Sequence, residues 1–169
     1  MNDLIVLAIL LDGPQHGYAL KKRAGVILGQ PELHNNIVYP LLNRFIEQGW
    51  VSCKETGGER GQTRQVYSLT ATGRRHLIAR LSEFDEKQAY SEREFHLRVG
   101  LFELLPAEVR RRILAGRESV LERRDEHLKR LQKSEKLSGF NAEVVGFHRR
   151  QVEAEREWIR KLSRLRSRI

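Results

Sequence analysis

The chain has 169 residues, enough for one hydrophobic core or two small ones. Its formal net charge of +9 and its pI of about 10.1 favour an anionic partner. A single cysteine, Cys53, excludes an intrachain disulfide framework, and the N-terminal apolar run lacks the basic lead and cleavage site of a signal peptide.

The first two helices are predicted from apolar patterning. Residues 4–11 form an unbroken apolar run, most easily a buried helix, and they are far too few to cross a bilayer. A turn follows at residues 12–14. Residues 16–28 predict a second helix. Its apolar side carries Leu20, Ala24, Ile27 and Leu28, and its solvent side carries Lys21, Lys22 and Arg23.

A third helix is predicted at residues 35–48. Asn35 or Asn36 can cap its start with a side-chain oxygen, and Gly49 can end it in the left-handed conformation. The apolar positions Val38, Leu42 and Phe45 recur at helical spacing. Tyr39, Asn43 and Arg44 therefore fall on its other faces.

A two-stranded hairpin is predicted next, at residues 51–69. Trp50, Val51 and Cys53 have strand character, residues 55–62 are rich in turn residues, and Val66, Tyr67 and Leu69 form the return strand. Thr70 is a candidate cap for a fourth helix. Cys53 is interpreted as a packed strand residue, with a redox-sensing role as the alternative.

Three motifs in order resemble the PadR family of bacterial transcriptional regulators: HGYALKKR at 16–23, VYPLLNRFIEQGWV at 38–51 and RQVYSLTATGRRHL at 64–77. The resemblance covers residues 1–81. It implies a winged helix-turn-helix followed by a helical dimerisation region, and repression relieved by a ligand or signal. It also implies DNA-backbone roles for Tyr18 and Tyr39.

The wing departs from the family pattern. The usual Gly-Arg-Pro-Arg is Gly61-Gln62-Thr63-Arg64 here, so one of the two wing arginines matches, and Arg60 is a candidate substitute. Asn35, Asn36 and Ile37 replace the small residues common at the helix start. The bases read are therefore expected to differ from those of other members.

These expectations give a mainly α fold with a small β wing, in two domains: a winged helix-turn-helix at 1–81 and a helical dimerisation domain at 82–169. Candidate roles in DNA binding divide into three groups. Asn36, Tyr39 and Asn43 are assigned to bases in the major groove, because asparagine pairs bidentately with adenine. Arg64, with Arg60, is assigned to a narrow minor groove. The phosphate candidates are Lys21, Lys22, Arg44 and Lys54.

The second half is predicted to be helical and polar. Leu114, Leu121 and Leu128 recur every seven residues with Leu131 on the same seam, and Trp158, Leu162, Leu165 and Ile169 form a stripe near the C-terminus. Such narrow seams predict a homodimer, with a purely intrachain hairpin as the alternative. Phe95, Phe102 and Trp158 are candidates for a pocket that binds a small aromatic or hydrophobic effector, or else they are plain core.

Enzymatic constellations are missing from the sequence. Six histidines form no close ligand pair, no Cys-x-x-Cys occurs, and the glycine-rich segment 57–61 lacks the helix that a phosphate cradle needs. We therefore expect no catalytic residues, no metal and no cofactor. The sequence predicts a cytoplasmic, dimeric regulator that binds double-stranded DNA and no membrane. The alternative is a winged-helix interaction module that docks a protein or RNA partner.

Overall fold

The computed structural model describes residues 2–27, 29, 32–57, 63–133 and 137–165. The chain divides into two compact units, residues 1–83 and 84–169, called here the N-terminal and C-terminal units. The N-terminal unit contains α1 (Asn2–Ile9), β1 (Gln15–His16), α2 (Gly17–Ile27), α3 (Asn35–Glu47), β2 (Val51–Gly57), β3 (Thr63–Leu69) and α4 (Ala71–Ser82). The C-terminal unit contains α5 (Glu86–Tyr90), α6 (Glu92–Gly100), α7 (Ala107–Gln132) and α8 (Gly139–Arg164).

The core of the N-terminal unit is apolar. Helix α1 packs against both α2 and α4, and α3 packs against α2 and β2. The side chains that these contacts bury include Leu4, Val6, Leu20, Val38, Leu42, Phe45, Leu77 and Leu81. The predicted apolar run of residues 4–11 therefore forms α1 and a 3-10 turn at Leu10–Asp12.

A three-stranded antiparallel sheet completes this unit in the order β1-β3-β2. Strands β2 and β3 pair from Val51 opposite Leu69 to Gly57 opposite Thr63. The prediction that turn chemistry begins at residue 55 was wrong, because Glu55 pairs with Gln65 inside the hairpin. Strand β1 was not predicted either, since two residues give no alternation to detect.

The helix ends agree with the predictions at two of three places. The Thr70 hydroxyl accepts a 2.9 Å bond from the Gly73 backbone N–H, which confirms the predicted cap of α4. Gly49 follows α3 with φ of 68°, in the left-handed region that glycine adopts freely. The predicted cap of α3 was wrong, because His34 holds the cap position without a side-chain bond and Asn35 is already helical.

Helix α2 departs from its predicted pattern at two residues. Ile27, predicted to be apolar core, is 56% exposed, so the buried residues of α2 end at Gly25. Lys21, predicted to face solvent, has a side chain only 14% exposed and a 3.1 Å ion pair with Glu32. Leu28 lies outside the described residues.

The C-terminal unit is a long antiparallel hairpin of α7 and α8 with α5 and α6 packed on α7. Leu114, Leu121 and Leu128 are at most 7% exposed in the single chain. These three leucines therefore pack within the chain, as the intrachain alternative expects, because α7 contacts α8, α5 and α6. Only Leu131 of the predicted seam is exposed, at 37%.

The residues of the predicted C-terminal stripe differ in how far they are buried. Trp158 and Leu162 are half-buried and Leu165 is exposed, whereas Ile169 lies outside the described residues. A different set of apolar side chains on α8 is open to solvent: Phe140, Val144 and Phe147. Spaced at four and three residues, they lie on one side of the helix.

Two of the three proposed effector aromatics, Phe95 and Trp158, pack on one another. Phe95 is fully buried, and the Trp158 ring meets it edge-on with centroids 5.9 Å apart. His96 contacts the same indole at 5.4 Å. Phe102 is half-buried in a separate 3-10 turn, Phe102–Leu104. Phe95 and Trp158 are therefore in direct contact, with the half-buried Trp158 at the edge of the core.

Candidate nucleic-acid interface

Helix α3 presents one polar side to solvent. Val38, Leu42 and Phe45 turn into the core, with none of their surface exposed. Asn36, Tyr39 and Asn43 are exposed, and their spacing of three and four residues puts them on one face. This face offers two amides and a phenol, which suits hydrogen bonding to base edges.

A groove of about 640 Å³ lies beside this face, and its lining comes from α2, α3 and all three strands, including the acidic Glu55 of β2. Tyr18 comes from the start of α2, Tyr39 from α3, and Arg64 from β3. His16 and Gln65, for which the sequence predicted no role in DNA binding, also line it. Both belong to the motifs on which the family resemblance rests, at residues 16–23 and 64–77.

The hairpin wall of this groove is held by hydrogen bonds. The His16 ring Nδ1 lies 3.2 Å from the Gln65 carbonyl oxygen, which ties β1 to β3. The Tyr67 hydroxyl donates to the Gln65 side-chain oxygen at 2.6 Å. Burial raises the pKa of Tyr67, so this phenol stays protonated and remains a donor at neutral pH.

The other DNA-binding candidates lie outside this groove. Asn36 and Arg44 line a shallow depression between α3 and the start of α1, which also contains Asp3. Lys22 and Lys54 are exposed on α2 and β2. Arg60 lies outside the described residues. The candidates therefore occupy two concave places and several separate positions.

Lys21 is poorly suited to a phosphate in this conformation. Its ammonium is paired with Glu32, as described above, and it also lies 5.5 Å from the centroid of the Tyr18 ring. A phosphate would have to compete with a carboxylate that is already in place. Lys21 is better described as a residue that holds the Tyr18 side of the groove.

Trp50 and His76 support the base of the hairpin. Their rings stack at 3.5 Å with an interplanar angle of 14°, and Trp50 also meets Phe45 of α3 at 5.8 Å. Burial, followed by the nearby Arg80 charge, lowers the pKa of His76. The imidazole is therefore neutral at physiological pH, and the stack joins α3, the hairpin and α4.

Cys53, the candidate for a redox-sensing role, lies on β2. Burial, with the Glu55 charge, raises the pKa of Cys53, which disfavours the reactive thiolate. Within the described ranges, no three His, Cys, Asp or Glu side chains come together as a metal site. No helix in the described part of the chain is long and apolar enough to cross a bilayer.

Residues 6–79 match the model of the "Transcriptional regulator PadR-like family". A search of curated proteins gives no match. Among solved structures, a putative transcriptional regulator from Thermoplasma acidophilum is 32% identical over 46% of this chain and 72% of that one, with a TM-score of 0.42.

Two further structures match along nearly the whole chain. Bacillus subtilis PadR in complex with operator DNA is 18% identical, covers 96% of this chain and 97% of its own, and has a TM-score of 0.47. The same protein in complex with p-coumaric acid is 15% identical, with 95% of each chain covered and a TM-score of 0.43. The winged helix lies within the matched residues 6–79, and the chain belongs to the PadR-like family of transcriptional regulators.

Proposed function

We propose that this chain is a homodimeric transcriptional repressor that binds an inverted-repeat operator through α3 and the β2–β3 hairpin. The observation that carries the proposal is the groove shared by Tyr18, Tyr39 and Arg64 beside the exposed face of α3. The groove contains two phenols and a guanidinium, and the α3 face beside it carries the two amides that we propose to read bases. That combination can hold a phosphate backbone while a helix reads the adjacent major groove.

The proposed contacts have separate tasks. Asn36 and Asn43 read base edges, with about 1–3 kcal/mol of discrimination for each good bidentate pair. Tyr18 and Tyr39 donate to phosphate oxygens. Lys22, Arg44 and Lys54 add charge that positions the protein without specifying sequence. Arg64 extends from β3 toward the minor groove.

The exposed apolar face of α8 supports dimerisation. Phe140 is 91% exposed, and Val144 and Phe147 are about half exposed. Complete burial of an exposed valine or phenylalanine side chain contributes about 1.5–3 kcal/mol, and Phe140 has the most surface left to bury. We therefore move the proposed interface from the buried leucine seam of α7 to the α8 face that contains Phe140, Val144 and Phe147.

DNA recognition is tested by enrichment of duplexes from a random library with the purified chain. The expected result is one inverted repeat with half-site centres on the order of 34 Å apart, confirmed by footprinting. Asn43→Ala should relax base preference at one position in each half-site. A single asymmetric footprint would contradict the dimeric operator. Binding only to RNA or to a protein would favour the interaction-module alternative.

Dimerisation is tested with two matched lysine substitutions. Phe147→Lys places charge on the exposed face and should give a folded monomer by light scattering. Leu121→Lys places charge in the intrachain core, so it should unfold the hairpin instead. A folded dimer from Phe147→Lys would place the interface elsewhere.

Repression and release are tested with a reporter under a promoter that contains the enriched repeat. Expression of the chain should lower reporter output, since a bound dimer occludes the promoter; increased output would contradict repression. We further propose release by a small aromatic acid, with p-coumaric acid as the first compound to be titrated. We place its binding site at Phe95, where it would displace the Trp158 ring that contacts Phe95 and so change Trp158 fluorescence. Quenching without loss of operator affinity would contradict ligand-gated release.

A further inference from the structure

The first residue of α2 lies against the end of the Tyr39 ring. A Cβ built on Gly17 would be 3.0 Å from Cε1, 3.1 Å from the hydroxyl oxygen and 3.3 Å from Cζ of Tyr39. Gly17 is itself buried. The phenol end of Tyr39 therefore rests directly on the backbone of α2, in space that any other residue would partly fill.

Gly25 and Gly73 are also in close contact with a neighbour, but in both cases the neighbour is backbone. A Cβ on Gly25 would be 2.1 Å from Glu32 Cα, and one on Gly73 would be 2.1 Å from the Trp50 carbonyl oxygen. Both would strike backbone, so those glycines are needed for the fold. At Gly17 the neighbour is the end of a side chain that is 40% exposed and can move outward.

We infer that Gly17 is a positioning residue for DNA recognition, because its missing side chain sets where the Tyr39 hydroxyl lies in the groove. This inference rests on the proposed function. A methyl group at position 17 would move the ring by a few tenths of an ångström. Contacts in a binding site must be held to within about 0.5 Å, and this displacement uses up most of that tolerance, so the hydrogen bond to DNA becomes longer and weaker.

The backbone at Gly17 does not itself demand glycine. Its φ is outside the left-handed region, unlike those of Gly13, Gly29, Gly49 and Gly139. Alanine is also the better helix former. Gly17→Ala should therefore keep the thermal stability of the N-terminal unit while DNA affinity falls, and this split is not expected from a purely structural residue.

The test is a double-mutant cycle on the duplex that the wild-type chain enriches from a random library. Gly17→Ala should weaken binding on the order of tenfold, equivalent to about one lost contact. In the Tyr39→Ala background, Gly17→Ala should have little further effect, since no ring is left to displace. Gly100→Ala is the matched control, because a Cβ there meets nothing within 4 Å.

NMR of ring-labelled tyrosine gives a second measurement on the DNA-free protein. Gly17→Ala should shift the Tyr39 ring resonance, whereas Gly100→Ala should not. If Gly17→Ala alone fails to fold, adding Tyr39→Ala should restore folding by making room for the methyl group.

Several results would overturn the inference. Gly17→Ala could leave the DNA affinity unchanged, or lower it equally with and without the Tyr39 ring. It could leave the Tyr39 ring resonance in place, or unfold the chain without recovery when Tyr39→Ala is added. A wild-type chain that enriches no duplex would remove the proposed function itself, and this inference with it. If the wild type binds DNA but the effects of Gly17→Ala and Tyr39→Ala on affinity simply add, only this inference is removed.

Discussion

The N-terminal and C-terminal units differ in the kinds of contact that they bury. The buried charged side chains within the described residues are Arg98, Arg117 and Asp125, and all three belong to the C-terminal unit. The N-terminal unit buries apolar side chains and brings backbone segments into contact at Gly25 and Gly73. One unit is fixed by close approach of its backbone, the other by ion pairs inside a helical hairpin.

Arg117 shows how the C-terminal unit works. Its guanidinium makes a bidentate pair with Glu155 of α8 at 2.7 and 2.8 Å. It also donates to the Ala89 and Tyr90 carbonyl oxygens at 2.8 and 3.2 Å, at the end of α5. One side chain on α7 thereby fixes two other helices. Buried pairs of this kind favour one arrangement over others, even where they add little stability.

Removing Arg117 should give the largest effect. Arg117→Ala leaves Glu155 and two carbonyl oxygens without their donor, and it should cost about 3–5 kcal/mol of unfolding free energy. Denaturation is followed by Trp158 fluorescence in a Trp50→Phe background, which reports on the C-terminal unit. Arg123→Ala is the matched control: Arg123 pairs with Glu86 at the surface, so its loss should cost less than about 1 kcal/mol. Equal costs would mean that the buried pair does not specify this unit.

Filling the close approach at Gly73 should give the next largest effect, now in the N-terminal unit. The methyl of Gly73→Ala would overlap the Trp50 carbonyl oxygen, so α4 and the hairpin must separate. The expected net cost is about 1–3 kcal/mol, although alanine favours a helix. Trp50 fluorescence in a Trp158→Phe background reports the change. Gly100→Ala should cost nothing, and a stabilised Gly73→Ala would contradict the close-approach description.

The contrast between the units also explains what could be predicted from the sequence. In the N-terminal unit the signals are local: Val38, Leu42 and Phe45 at helical spacing, Gly49 after the helix, and Thr70 as a cap. These predicted the mainly α fold with a small β wing, which is confirmed. The short strand β1 was missed because its pairing with β3 depends on residues about fifty positions away.

In the C-terminal unit periodicity identified the helices but not what covers them. The seven-residue leucine spacing is the same for a seam against a partner and for one against α8. Arg117 and Glu155 are thirty-eight residues apart, and nothing in the sequence distinguishes them from exposed charges nearby. The groove that contains Tyr18, Tyr39 and Arg64 could not be predicted for a related reason, because it forms only where α2, α3 and the three strands meet.

The dependence of stability on pH should separate the units further. Hydrogen bonding from Lys129, supported by Arg149, lowers the pKa of Asp125 against the opposing effect of burial. An aspartate in the unfolded chain titrates near about 3.9. The stability contributed by ionised Asp125 is therefore complete above that pH and is lost as pH falls through the lower, folded-state value.

Asp125→Asn should consequently destabilise the C-terminal unit at neutral pH, and its difference from wild type should shrink below about pH 4. Trp158 fluorescence measures the difference, and comparing the two chains cancels the titration of the other carboxyls. The N-terminal unit, followed by Trp50, should be unchanged by this substitution. A difference that stays constant down to about pH 3 would show that the Asp125 charge is not responsible.

The smallest expected change in unfolding free energy comes from removing an exposed arginine, in contrast to the buried Arg117. Arg64 is exposed on β3, so Arg64→Ala should change stability by less than about 0.5 kcal/mol, unlike the loss of Arg117. Its proposed role is in DNA binding, where neutralising one phosphate releases about one counterion. Removing it should weaken binding and reduce the slope of log K against log salt by about one unit. Arg160→Ala, an equal change of charge on exposed α8, should leave the slope as in wild type. If Arg64→Ala also keeps the wild-type affinity and slope, Arg64 does not contact DNA, and the proposed contact from β3 is lost.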